Sequence, residues 1–221
     1  MRLRVAPDDL ALALLAFASG TSDVLSFLAL GGTFTSAMTG NTALLGLSLG
    51  QGRLAAAERA FAALIGFLCG VIAGTLCREH AGRQRALLRI LALEAVCLGL
   101  FTAVWAGAVD VENRWVLFPL ILLSATGMGA QSVAARHINL PGLPTVVFTS
   151  TLTSIVMAAT ESLLHGTPFS ADAVRQCAVF GAYLAGALLA GIVATHSLGA
   201  VVLLPLAAVL IALVAELRSR G

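Results

Sequence analysis

The chain has 221 residues, of which 59% are hydrophobic and 11% charged, with a formal net charge of +2. A soluble domain carries roughly 25% charged residues, so a chain this poor in charge cannot cover its surface for water, and the solvent it is built for is lipid. All 13 basic residues are arginines, and no basic cluster is dense enough to suggest nucleic acid as a partner.

The N-terminus places Arg2 and Arg4 before an apolar run, in the manner of a signal peptide. Asp8 and Asp9 ahead of the run, and the lack of an A-x-A site, argue instead for mature protein. Apolar segments then follow at Leu10–Leu30, Thr35–Gly50, Ala60–Leu76, Ala86–Ala108, Val116–Ala135, Thr145–Leu164, Val174–Thr195 and Leu198–Leu217. A spanning helix needs about 20 apolar residues, and only helices satisfy their own backbone in lipid. No strand-like alternation is visible, so a transmembrane barrel is not expected. The fold expected is an all-α polytopic membrane helix bundle, a single domain over 1–221.

Two segments share one plan. Thr35-x3-Thr39-Gly40-Asn41 lines up with Thr145-x3-Thr149-Ser150-Thr151. Each is preceded by a polar break in an apolar segment, Gly20-Thr21-Ser22-Asp23 in one half and Gly127-Met128-Gly129-Ala130-Gln131 in the other. Each is followed by a segment rich in small residues, from Gly66 and from Gly181. The chain therefore reads as two internal repeats, 8–108 and 114–217, with Gln131 as the counterpart of Asp23.

Cytoplasmic loops carry the excess of positive charge. Eight crossings put eight arginines inside but leave the dense Arg78–Arg89 cluster outside. Six crossings, with both Thr-rich segments entering and leaving on one side, put ten inside and leave Arg53, Arg59 and Arg114 outside. Six crossings plus two re-entrant or broken segments fit better, and eight crossings are the alternative. With six, the repeats run in opposite orientations, a recurring transporter plan with its site near the midplane.

Asp23 is the first candidate for chemistry. An aspartate at a membrane-helix centre costs about 2.5 to 3.5 kcal/mol, so it either binds a cation or proton or holds a broken helix by hydrogen bonds to the Thr-rich segment. Spacing places Thr35, Thr39 and Thr42 on one helical face, and Thr145 and Thr149 likewise. With Asn41, Thr151, Thr153 and Gln131 they are candidates to line a polar cavity, against the ordinary alternative of helix-to-helix hydrogen bonding. Gly66, Gly70 and Gly74, echoed by Gly181, Gly186 and Ala190, read as close helix packing. Glu94 is a second candidate carboxylate, Arg89 snorkels to the interface, and Glu161 with His165 reads as an interfacial pair. The four cysteines, Cys69, Cys77, Cys97 and Cys177, form no CxxC and read as small buried apolar residues. No HExxH, P-loop or GxGxxG occurs, so no enzyme, metal site or cofactor is expected.

GTSDVLSFLALGGTFTSAMTGNTALLGLSLG resembles the hallmark of the YoaK-like family of uncharacterised bacterial membrane proteins, and MGAQSVAARHINLPGLPTVVFTSTLTS is similar to its second hallmark. The resemblance covers nearly the whole chain. It departs at Ser132, where the family usually has Asn, and at Ser150, where it usually has Gly. The resemblance implies a small polytopic protein of the bacterial inner (plasma) membrane and supplies no substrate. The function expected is a transporter or channel for a small polar solute or ion, with membrane lipid around it and a homodimer compatible with its size. The alternative is a non-transporting scaffold, assembly factor or sensor. A lipid-active membrane enzyme is a third class, needing an Asp23–Glu94 or Glu161–His165 pair at headgroup level.

Overall fold

The computed structural model describes residues 7–80, 82–138 and 148–218. Among the described residues there is no strand, and the helices are α1 (Pro7–Ala29), α2 (Met38–Gly50), α3 (Leu54–Glu79), α4 (Gly82–Gly107), α5 (Arg114–Ile138), α6 (Phe148–His165), α7 (Ala171–Ala194), α8 (Leu198–Val201) and α9 (Leu203–Arg218). Six elements are long and apolar enough to cross a membrane: α1, α3, α4, α5, α7 and the α8–α9 pair. With 13 residues, α2 is about 20 Å long, short of the roughly 30 Å hydrocarbon core. The hydroxyls and Glu161 of α6 keep it out of the six.

Side-chain contacts fix the helix directions. Arg175 pairs with Asp9 at 3.1 Å, Gly186 packs on Phe17, and Leu25 shares a cluster with Ala190. Hence α1 and α7 run parallel. Glu58 pairs with Arg114 at 3.1 Å, Thr126 Oγ1 donates to the Gly66 carbonyl at 3.1 Å, and Gly74 meets Ala130 and Val133. Hence α3 and α5 also run parallel. Gln131 Nε2 donates to the Leu15 carbonyl, while Ser19 reaches Met128 Sδ at 3.9 Å, so α1 and α5 are antiparallel. By the same logic α4 opposes α5 and α9 opposes α1. The six crossings alternate, with α1, α4 and α7 one way and α3, α5 and α9 the other. The chain from α1 to α3 therefore leaves and rejoins one membrane face, and the chain from α5 to α7 does so on the other. Six crossings hold, not eight.

Of the described arginines, Arg78, Arg83, Arg85, Arg89, Arg136, Arg175 and Arg218 fall at one end of the bundle, and Arg53, Arg59 and Arg114 at the other. The arginine-rich end is cytoplasmic by the positive-inside rule. This sets α2 against the outer face and α6 against the cytoplasmic face.

The expected breaks at Gly20 and Gly127–Gln131 are absent, because α1 and α5 run through them unbroken. Their glycines serve close approach. A Cβ on Gly20 would strike the Tyr183 carbonyl and one on Gly186 the Phe17 carbonyl. A Cβ on Gly129 would strike the Phe67 carbonyl and one on Gly70 the Thr126 carbonyl. The same reciprocal lock thus occurs twice, with Phe17 and Gly20 replaced by Thr126 and Gly129, and Phe67 and Gly70 by Tyr183 and Gly186. Gly66 and Gly74 pack on α5 as expected, whereas Gly181 has open space beside it.

The outer faces are apolar, as lipid requires. Leu68, Ile72 and Leu76 on α3, and Leu184, Leu188 and Ile192 on α7, form exposed stripes four residues apart. This corrects the reading of the cysteines: Cys97 is buried, but Cys69 and Cys177 are exposed and Cys77 is half-buried. In lipid a small apolar side chain gains nothing by facing inward.

Candidate functional site

Two glycines in the left-handed region, Gly31 at φ +73° and Gly32 at φ +77°, reverse the chain after α1. Residues 33–37 then fold back beside the last turns of α1 before α2 climbs out. Only glycine adopts this pair of angles without strain. The returning backbone has lost its helical partners, and in lipid every amide must find another.

Asp23 supplies them. Its Oδ1 accepts the Thr35 N–H at 3.0 Å and the Ser36 N–H at 2.8 Å. Its Oδ2 accepts the Ser36 hydroxyl at 2.6 Å and the Tyr183 hydroxyl of α7 at 3.0 Å. Asp23 is 2% exposed. Asn41 completes the set, accepting the Phe34 N–H at 3.0 Å and donating to the Phe34 carbonyl at 2.5 Å. Ser26 gives its proton to the Ser22 carbonyl at 2.7 Å, so Thr35 is the donor in the 3.1 Å Ser26–Thr35 contact. The Phe27 and Phe34 rings stack at 5.3 Å over the assembly. Asp23 lies six residues before the end of α1, so the loop re-enters to a depth of about 9 Å.

The other candidates divide. Thr35 is buried in the loop and lies outside α2, so the expected shared face of Thr35, Thr39 and Thr42 does not form. The helix starts at Met38, and its period turns Asn41 and Ser48 inward. Thr39 and Thr42 face outward, and Thr42 bonds back to the Met38 carbonyl at 2.9 Å. Gln131 is buried between α1 and α5, held by the Leu15 carbonyl and by Ser19 at 3.3 Å. Leu15 and Asp23 are eight residues apart on α1, about 12 Å, so Gln131 and Asp23 do not share a site. Matching the two glycine locks residue for residue sets Asp23 opposite Ser132 and Ser22 opposite Gln131, one position from the pairing of Asp23 with Gln131 expected from sequence.

On α6, Thr151 is buried while Thr149 and Thr153 are exposed, and Thr153 bonds to the Thr149 carbonyl at 2.9 Å. Thr145 lies outside the described residues. Glu161 and His165 are exposed and form no ion pair among the described residues. Arg89 reaches the His80 carbonyl at the cytoplasmic end, 3.1 Å away. No three His, Cys, Asp or Glu side chains converge among the described residues.

Sequence reasoning missed Tyr183 and Ser36 as partners of Asp23. A signal for Tyr183 existed: it is the single tyrosine of the chain, inside a very apolar helix, and a phenol in such surroundings needs a partner. Chemically, the site is a carboxyl latch. Four donors occupy the carboxylate, and separating the loop from it would bare an acidic, hydroxyl-rich face toward the outside.

Comparison with known proteins places this geometry in context. Residues 11–215 match the family described as protein of unknown function DUF1275. The UPF0700 transmembrane protein YoaK of Bacillus subtilis (strain 168) is 34% identical over 186 residues, which is 80% of each chain. No solved structure matches.

Proposed function

The chain belongs to the DUF1275 family of multi-pass membrane proteins, and from that premise we propose that it is a transporter for a small polar solute or ion in the bacterial inner (plasma) membrane. The supporting observation is the re-entrant hairpin at residues 30–53, which dips below the outer face and is fastened there by one buried carboxylate. Irregular backbone at membrane depth is tolerated where it is buried in protein or lines a cavity, and short broken helices at a repeat interface are a recurring feature of transporters. The twice-used glycine lock, joining α1 to α7 and α5 to α3, supports reading the halves as copies in opposite orientation. In this reading α2 gates the outer side and α6 the cytoplasmic side. Release of Thr35 and Ser36 from Asp23 opens the outer gate, and the protein is a carrier, not an enzyme.

The complete pairing of Asp23 favours a second reading, in which the hairpin is a static brace and the protein a non-transporting scaffold. Cysteine scanning separates the two. Single cysteines along Ser36–Leu47 and Val147–Ile155, in a cysteine-free background, are exposed to membrane-impermeant thiol reagents from each side. Transport predicts labelling every three to four residues deep in the segments, lost when the transported solute is added. If interior positions stay silent under all conditions, transport fails and the brace remains.

A further inference from the structure

The carboxylate that the latch leaves unused is Glu94. It is the thirteenth of the 26 residues of α4, halfway through the bundle, and 0% exposed. Its neighbours on the same face of α4, one and two turns away, are Leu87, Ile90, Leu91, Cys97, Leu98 and Phe101, all buried. The glutamate therefore stands at the centre of the stripe that packs α4 into the core. Across from it is Gly127 of α5, whose Cβ, if present, would lie 3.8 Å from Glu94 Cγ. Among the described residues neither carboxylate oxygen has a hydrogen-bond partner, in contrast to the four donors around Asp23.

The charged residues of the packed helices lie away from it. Those of α3 (Glu58, Arg59, Arg78, Glu79) and of α5 (Arg114, Arg136, His137) are near the helix ends, as are Glu216 and Arg218 of α9. The Cys97 thiol stands one turn along the same helix, and both side chains flank Gly127. A bare carboxylate in such a place is untenable, because a buried charge requires a counter-charge or must be neutralised. A metal cation requires several oxygen ligands, and no three His, Cys, Asp or Glu side chains converge among the described residues. A proton requires only the carboxylate itself.

We propose that Glu94 is a proton-binding site at the centre of the membrane, carrying a proton while α4 and α5 are packed and exchanging it when their contact at Gly127 opens. The proposal rests on the transport reading for its purpose, as the coupling site, but not for its chemistry. A glutamate held against a glycine leaves room for the carboxyl to be wetted by a small separation of two helices. Asp23, already saturated, cannot take this role without dismantling the latch.

The test is infrared spectroscopy of the whole protein in lipid, with Glu94→Gln and Asp23→Asn for comparison. A carboxylic-acid carbonyl band is expected in the wild type, kept in D23N and lost in E94Q, and it should shift when the membranes are equilibrated in D2O. Modification by dicyclohexylcarbodiimide, a membrane-soluble reagent for protonated carboxyls, supplies an independent readout. One adduct is expected on the peptide holding Glu94, absent from E94Q. A wild-type spectrum with no E94Q-sensitive band, together with no adduct on that peptide, overturns the proposal even if E94Q folds poorly. A band that never shifts in D2O also overturns it, because the proton would then be permanent. A band that shifts and an adduct that forms, with cysteine scanning silent, would sustain the proton site while removing the transport reading.

Discussion

Replacing Asp23 by alanine removes the acceptor for four donors at once, and the two backbone amides among them, Thr35 and Ser36, have nowhere else to turn. Each buried donor left unpaired costs about 1–3 kcal/mol, so D23A should lose about 2–6 kcal/mol of hairpin stability. The Ser36 and Tyr183 hydroxyls add less, because they rotate toward other acceptors. Asparagine is a sharper comparison. Its Oδ1 still accepts both amides, and its NH2 group faces two hydroxyls that can accept instead of donate. D23N should therefore lose only the charge assistance, about 1–2 kcal/mol. The assay is impermeant thiol labelling of Ala37→Cys from the outer side in a cysteine-free protein, paired with thermal unfolding in detergent. Labelling should be slow with Asp23, slightly faster in D23N and much faster in D23A, with melting temperatures in the reverse order. If D23A matches the wild type in both measurements, the carboxylate does not fasten the loop and the latch argument collapses. If D23N is as damaging as D23A, charge and not pairing geometry is what matters.

The glycine locks predict a steep positional contrast. Gly70→Ala and Gly129→Ala place a methyl on the partner helix's backbone carbonyl and should each cost at least about 1–3 kcal/mol. Gly46→Ala, with open space beside it, should be neutral or gain up to about 1 kcal/mol; size-exclusion profiles and melting curves in detergent report both. Asn41→Ala strips the Phe34 amide of its acceptor and should destabilise by about 1–3 kcal/mol, read in the same Ala37→Cys labelling assay. Gln131→Leu keeps the volume while removing the α1–α5 hydrogen bonds. It should cost only about 0.6–2 kcal/mol, with outer-side labelling unchanged, because Gln131 is remote from the latch.

The six-crossing plan was legible in the arginine asymmetry, which separated six crossings from the eight that apolar length alone allowed. The inward direction of individual side chains was not. The Thr35–Thr39–Thr42 face presupposed a helix through all three, yet the helix begins at Met38, and the turn at Gly31-Gly32 decides that start. Cysteine burial failed because a soluble protein's rule was applied where the solvent is lipid. Glu94 looked weaker than Asp23 on sequence because Asp23 sits among hydroxyls. Those hydroxyls satisfy Asp23, and it is the apolar setting of Glu94 that leaves it unpaired. Polar company in the sequence marks the satisfied carboxylate, and its absence marks the unpaired one.

On the proposed reading of the halves as copies, the two Thr-rich segments are unequal. At the place equivalent to Asp23 the second half has Ser132, whose hydroxyl donates to the Gly129 carbonyl of its own helix at 2.8 Å. A serine oxygen engaged in this way cannot gather two backbone amides and two hydroxyls as a carboxylate does. Thr35 and Ser36 are buried against α1, whereas Thr149 and Ser150, at the start of α6, are exposed, as is Thr39, with which Thr149 aligns. Burial alone makes the exposed pair the more reachable of the two. Cysteines at Thr149 and Ser150 should therefore label from the cytoplasmic side at least about tenfold faster than those at Thr35 and Ser36 label from outside, a difference of about 1.4 kcal/mol. Introducing Ser132→Asp should not slow the labelling unless the donors of α6 lie within its reach. Equal rates on the two faces would mean that Asp23 sets no asymmetry, and that the outer latch is no stronger than whatever holds α6.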